Sequence, residues 1–333
     1  ETAGKRGYRI LEAEKLAEAS RIAVYESAWR VRGELRGALV AYWSAVHQQE
    51  LLQTESGIRA ELADLYRKRV ELGDASNPEL SAARAEQASL AVSLRSVEGE
   101  VARGRAAIAE AAGLPLAALE GKSIDVTSFQ NPARPDALPL PQVEKAGLLH
   151  RADIRRTLLE YEAADARLRL ALASQYPNIT LSPSWSFQEG FPAYTLGSVL
   201  ESLPVFHRSQ GPIAEQEAAR RQVEAQFKAL QARVLGDTQN ALLQYRAAMQ
   251  EWLAARDTFL PAQRQREAAV LASFRAGESD RLDVTQSRLL TLTAQKTQAD
   301  ALSRVQTALG ALEDAMQSPL QDAFPAPRPE TIH

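Results

Sequence analysis

The stretch ELGDASNPELSAAR at residues 71–84 has an echo 204 residues later, RAGESDRLDVTQSR at 275–288. Each holds a glycine, an acid, a small or polar pair, a second acid and a helical run that ends in arginine. Gly73 suits the left-handed position that closes a helix, where a Cβ would clash. Ser76 is placed to cap the next helix, with Glu79 three residues on completing a capping box and Pro78 tolerated in the first turn. In the second copy Gly277 stops a helix, and Asp280 with Asp283 starts one. Both stretches therefore predict the tip of an antiparallel helical hairpin.

Outward from each tip the pattern stays helical. From about Arg9 to Val70, apolar residues recur three or four apart (Leu35, Ala38, Leu39, Tyr42, Trp43, Val46), with charge between them. A helix of that length spans about 90 Å at 1.5 Å per residue, more than a single globular core covers, and this points to a coiled-coil-like or tubular assembly. The return helix runs to about Ala112 and ends at GLPL. In the second copy a long helix is expected from Ile213 to about Phe274, and its return to about Met316.

The same spacing of 204 aligns more than the tips. Arg84 falls on Arg288, Val101 on Val305, Pro115 on Pro319, Leu116 on Leu320, and the caps Ser76 and Glu79 on Asp280 and Asp283. Gly57 falls on Pro261, a helix breaker on a helix breaker, which predicts a bend at the same height in both long helices. Stops, caps and breakers punctuate the backbone, so the chain reads as a duplicated hairpin.

Between the copies, 118–141 is irregular and holds Pro132, Pro135, Pro139 and Pro141. A short helix is expected over Gln142–Leu149 and another from Ala152 to about Ser174. NITLSPSWSF then alternates, with Ile179, Leu181, Pro183, Trp185 and Phe187 on one face and Thr180, Ser182, Ser184 and Ser186 on the other. QEGFPA supplies turn residues, and YTLGSVLESLPVF is the returning strand, ending at Pro204. Two strands alone need partners. The expected division is a first hairpin repeat at 1–117, a crossing segment at 118–150 and a helix of the second repeat at 151–177. A β-hairpin at 178–204, the second hairpin repeat at 205–318 and a Pro-rich tail at 319–333 complete it. The fold class is mainly α: two duplicated long helical hairpins, an α-barrel protomer, with one short β-hairpin contributing to a membrane β-barrel.

The bulk numbers agree. The 333 residues are 45% hydrophobic, 24% charged and 6% aromatic, the composition of long helices packed through small side chains. A net charge of −3 gives no support to nucleic-acid binding. With no cysteine, disulfides, thiolate metal sites and cysteine nucleophiles are excluded. Glu1 opens on ETAGKRGYRILEAEK without a basic start and apolar core, which reads as a mature or trimmed product. No run approaches the ~18 apolar residues of a membrane helix, so any span must be made another way.

Several segments together resemble the TolC-like outer membrane efflux channels (outer membrane factors) of Gram-negative bacteria. YPNITLSPSWSF at 176–187 is similar to the entry of that family's third barrel strand, and LPVFHRSQGPIAEQEAAR at 203–220 to the exit of the fourth. The RSQG ending, and GKRGYRILEAE at 4–14, resemble the CzcC-like heavy-metal branch. LLHRADI at 148–154 and SFRAGESDRLDVTQSR at 273–288 match in order and spacing, the latter at the family's second periplasmic tip. The resemblance implies three subunits that close one twelve-stranded barrel above a helical tunnel. It implies a homotrimer in outer membrane lipid and periplasm, coupled to a periplasmic adaptor (membrane fusion) protein and an inner-membrane resistance-nodulation-division pump. The family's first strand pair is expected to be missing before Glu1.

By the same resemblance, Leu72, Gly73, Ala75 and Ser76 with Ala276, Gly277 and Ser279 are expected to dock the adaptor at the closable end of the tunnel. Asp74, Glu278 and Asp280 would place charge at the aperture, where a ring of acids favours cations. Glu79 and Asp283 read as helix N-terminal carboxylates. Ile179, Leu181, Trp185 and Phe187 would face lipid. Trp185, Phe187, Phe191 and Tyr194 are girdle candidates, against a packed hairpin face. His47, His150, His207 and His333 lack zinc spacing, and His47 with Glu50 is a weak pair on a solvated or packed face; His207 is read as interfacial. No metal site, cofactor, phosphate loop or nucleophile–base pair is assigned, so no catalytic residue is named. The expected function is a passive exit duct for metal cations or small toxic compounds. The alternatives are a channel for type I protein secretion and a soluble coiled-coil scaffold; the alternating strand segment speaks against the scaffold.

Overall fold

The computed structural model describes residues 1–133, 138–188, 191–201, 209–320 and 326. The first helix, α1, runs Lys5–Leu72, and its return, α2, runs Asn77–Ala111. Short 3-10 turns at Leu116–Leu119 and Thr127–Gln130 carry the crossing segment, followed by α3 (Leu140–His150) and α4 (Ala152–Ala173). The strands are β1 (Asn178–Gln188) and β2 (Phe191–Glu201). The second copy is α5 (Gln210–Ala254), a π-helical turn (Ala255–Phe259), α6 (Leu260–Ala276) and α7 (Arg281–Met316).

The expected bounds shift in four places. The helix α1 begins at Lys5 rather than near Arg9, α3 at Leu140 rather than Gln142, and α5 at Gln210 rather than Ile213. The expected turn QEGFPA is shorter, because β2 already starts at Phe191; only 189 and 190 remain, and they lie outside the described residues. Pro135, the strand end at Pro204, His207, His333 and most of the Pro-rich tail also lie outside them. The breakers at equal height behave differently. α1 passes through Gly57 as regular helix, whereas the second copy takes a π-turn just before Pro261. Glycine only weakens a helix, whereas proline removes a backbone donor and clashes with the preceding turn.

The described residues fall into two units. In the first (1–28 and 145–236), α1, α4 and α5 meet through small buried side chains, among them Ala19, Ala163, Ala166 and Ala173. Charged pairs flank them: Lys15–Glu162 at 2.7 Å, Arg156–Glu26 at 3.1 Å and Arg220–Asp165 at 3.1 Å. The strand pair is tied to the start of α1. The buried Lys5 ammonium donates to the Tyr176 carbonyl (2.6 Å) and to Asn178 Oδ1 (2.8 Å), and the Thr2 hydroxyl donates to the Pro177 carbonyl.

In the second unit (29–144 and 237–327), α1 packs on α2 through Leu52, Leu90 and Val97, and on the crossing segment through Val40, Trp43 and Phe129. A buried polar knot lies beside the second cluster. Arg36 donates to the Gln306 carbonyl (2.8 Å) and to Gln306 Oε1 (3.1 Å), and the Gln306 amide donates to the Phe129 carbonyl (2.7 Å). Glu313, fully buried, takes Arg32 at 3.0 Å and Arg36 at 3.3 Å, and also accepts the Leu320 N–H at 2.8 Å. Burial pushes the Arg36 guanidinium below its usual range, and the Glu313 carboxylate opposes that shift. Two helical glycines make room: a Cβ on Gly310 would stand 2.4 Å from Arg36 Nη1, and one on Gly33 2.9 Å from Asp314 Oδ2.

Candidate functional site

The tips are built by the local chemistry of the repeat. Gly73 (φ +84) and Gly277 (φ +79) take the left-handed conformation. The Gly73 N–H donates to the Val70 carbonyl and the Asp74 N–H to the Arg69 carbonyl. The Gly277 and Glu278 N–H groups donate to the Phe274 and Ser273 carbonyls, the same bonds 204 residues on. This pair of bonds satisfies the last carbonyls of the long helix. The next helix is then capped. The backbone N–H and hydroxyl of Ser76 both donate to Glu79 Oε2 at 2.7 Å, and these two bonds hold the Glu79 carboxyl below its ordinary range. Asp280 and Asp283 exchange bonds: the Asp283 N–H donates to Asp280 Oδ1 (3.0 Å), the Asp280 N–H to Asp283 Oδ2 (3.1 Å).

The repeat extends to the far ends of the return helices, just before the aligned Pro115 and Pro319, although the residue that turns differs. Gly113 (φ +66) closes α2 with bonds from 113 and 114 to the carbonyls of Glu110 and Ala109. Gln317 (φ +46) closes α7 with bonds from 317 and 318 to the carbonyls of Asp314 and Glu313.

The expected tip residues are exposed but unequal. Leu72 is 76% exposed, an apolar side chain at the point of the first tip, and Gly73, Asp74, Ser76, Ala276, Gly277 and Glu278 are also exposed. Ala75 is half-buried, as is Ser279, whose hydroxyl donates to the Val270 carbonyl. Asp280 is shared between its cap and Arg69 of α1, at 3.1 Å. Further ion pairs follow the same α1–α7 seam. Glu61 takes Arg281 (2.8 Å) and Arg288 (3.6 Å), and Glu55 lies between Arg59 (2.6 Å) and Lys296. Hydrogen bonds from Lys296 and Arg59 hold the Glu55 carboxyl below its ordinary range against the opposing effect of burial. The sequence reading did not place this seam.

The strand pair keeps the expected faces. Its register sets Ile179 opposite Leu200, Leu181 opposite Ser198, Pro183 opposite Leu196, Trp185 opposite Tyr194 and Phe187 opposite Pro192. Directly opposed residues share a face, so one face is apolar except at Ser198. Its side chains are open: Ile179 is 52% exposed, Trp185 62% and Tyr194 81%. Trp185 and Phe187 contact one another with ring centroids 6.1 Å apart. The other face carries Thr180, Ser182, Ser184, Ser186 and Thr195. Eleven residues per strand match the ~9–11 of a tilted membrane strand. Among the described residues no helix is long and apolar enough to cross a membrane.

His47 Nδ1 lies 3.3 Å from Glu50 Oε2, and its half-buried ring lies parallel to that of the buried Trp43, with centroids 6.3 Å apart. His150 ends α3, exposed. Among the described residues no group of His, Asp or Glu is arranged to hold a metal ion.

No family model matches the chain. It is 28% identical over 323 residues to the cobalt-zinc-cadmium resistance protein CzcC of Cupriavidus metallidurans, covering 93% of this chain and 71% of that protein. The structure superposes on the outer-membrane channel OprN with a TM-score of 0.78 at 20% identity, over 95% of this chain and 72% of that one. It superposes on the outer membrane protein VceC of Vibrio cholerae with a TM-score of 0.77 at 20% identity, over 96% and 77%. The fold of these channels, the sequence relation to CzcC and the doubled hairpin with its strand pair agree. The chain has the fold of these outer membrane channels and is similar in sequence to CzcC along most of its length.

Proposed function

We propose that the chain is one wall unit of a passive efflux duct, trimeric when full length, that carries metal cations or small toxic compounds out through the outer membrane. The carrying observation is the join of two features in one chain. A strand pair with an open apolar face needs lipid and further strands to complete a barrel. Two hairpins of matched length end in matched tips. A soluble scaffold has no use for the first feature. The name of the 28% identical relative, a cobalt-zinc-cadmium resistance protein, supports cations as cargo. With no nucleotide-binding loop in the sequence, energy would come from an inner-membrane pump of the resistance-nodulation-division class, and a periplasmic adaptor would meet the tips.

A strain lacking the full-length gene, grown on graded cobalt, zinc, cadmium and hydrophobic drugs, tests this. Hypersensitivity to the metals, reversed by the gene, is the expected result. Hypersensitivity to drugs alone moves the cargo class. Unchanged sensitivity to all, with a protein missing from the medium, replaces efflux by protein secretion.

A further inference from the structure

We infer that the π-turn Ala255–Phe259 together with Pro261 is a flexural joint present in the second hairpin and absent from the first. At a spacing of 204 the two long helices stop at equivalent glycines, Gly73 and Gly277. At Leu51–Glu55 the first is regular α-helix within the unbroken α1; the equivalent Ala255–Phe259 is not. There the Leu260 N–H reaches back five residues to the Ala255 carbonyl. Pro261 follows with no N–H to donate to the carbonyl of Asp257. A π-turn is wider and less well packed than α-helix, and interrupted ladders are where long helices bend.

Packing changes at the same point. From α5 into the π-turn the buried positions Tyr245, Met249, Trp252 and Ala255 come at steps of three or four, and the next, Leu260, comes after five. The step of five marks the one extra residue that a π-turn inserts. Beyond it, Leu260 is the one buried residue of α6. The stretch of α1 equivalent to α6, 56–72, likewise buries one residue, Leu62; the copies differ at the joint itself, where α1 buries Leu52 and Glu55 and fixes Glu55 through Arg59 and Lys296. A weak point in the backbone thus coincides with the start of a thinly packed lever. Helices open locally where few apolar contacts hold them. The joint is a property of the chain and stands apart from what the duct carries.

Hydrogen exchange on the wild-type chain tests it without any substitution. Amides of 256–262 should exchange at least about tenfold faster than those of 52–58, a difference within the range of local opening; equal protection overturns the proposal. The absence of cysteine allows clean spin labelling at introduced sites. Labels at Glu251→Cys and Ala276→Cys should give a broader distance distribution than labels at the equivalent His47→Cys and Leu72→Cys. Adding Pro261→Ala, which restores a backbone donor, should narrow the first distribution and slow exchange at 256–262. Equal widths in the two pairs, or no response to Pro261→Ala in a folded chain, refute the joint. Loss of metal resistance is scored separately and bears only on the duct.

Discussion

Arg69 on α1 and Asp280 at the start of α7 stand 3.1 Å apart, so the carboxylate that caps one helix also ties the second tip to the first long helix. The two roles separate by substitution. Asp280→Asn keeps a good cap and loses the ion pair; both partners are well exposed, so the cost should be below about 1 kcal/mol. Asp280→Ala loses both and should cost about 1–2 kcal/mol more. Urea unfolding of the two variants reads the difference; equal losses would mean that the cap contributes nothing.

At the opposite ends of the return helices, Gly113 and Gln317 hold the same left-handed turn with different side chains. Gln317→Gly should stabilise the chain by up to about 1 kcal/mol, because the left-handed strain of a Cβ outweighs the extra freedom of glycine in the unfolded chain. Gly113→Gln should do the reverse. The shift in urea midpoint measures both.

Glu313→Ala leaves Arg36 buried without its carboxylate and should cost about 3–5 kcal/mol. Gly310→Ala, whose Cβ would displace the Arg36 head group, should cost about 1–3 kcal/mol by overpacking. Thermal unfolding checks both, and a Gly310→Ala melt equal to wild type would show that Arg36 has another route.

Glu79 gives a pH dependence with a definite sign. Its carboxyl is held low by the Ser76 backbone and hydroxyl bonds, so its stabilising effect is present above the unfolded pKa of about 4.3 and is lost as pH falls through the lower folded value. Glu79→Gln should therefore be less stable than wild type at pH 7. The two should converge at the acid end, in melts taken from pH 7 to pH 3.

On the strand pair, Leu181→Lys puts a charge on the apolar face, whereas Ser184→Lys puts one on the hydroxyl face. If the first face meets lipid, Leu181→Lys should cost up to about 2–4 kcal/mol near the bilayer midplane and reduce the amount in the outer membrane fraction, while Ser184→Lys inserts normally. Equal recovery of both would remove lipid as the partner of that face.

What the sequence disclosed follows from the range of each interaction. Gly73, Ser76, Gly277 and Asp280 were legible because a stop or a cap is decided within a few residues. The alternation from Ile179 to Phe187 was legible for the same reason. The Arg36–Glu313 knot was not, since its partners are 277 positions apart and each looks like a surface charge on its own helix. Its available sign was Gly33 and Gly310 inside helices, where a glycine without a packing reason is costly. Gly57 and Pro261 looked alike as breakers, and only the missing proline N–H made one of them a π-turn. Asp280 was read as an aperture charge; its bond to Arg69 depends on a helix distant in sequence.

The register of β1 with β2 bears on handling. Among the described residues each strand is bonded only to the other, so each keeps one edge of free N–H and C=O groups beside a greasy face. Such edges stick to whatever extended chain they meet. Purified without detergent, this chain should clump through its hairpin rather than its helices, and a mild surfactant or a peptide strand added to the edge should dissolve the clumps.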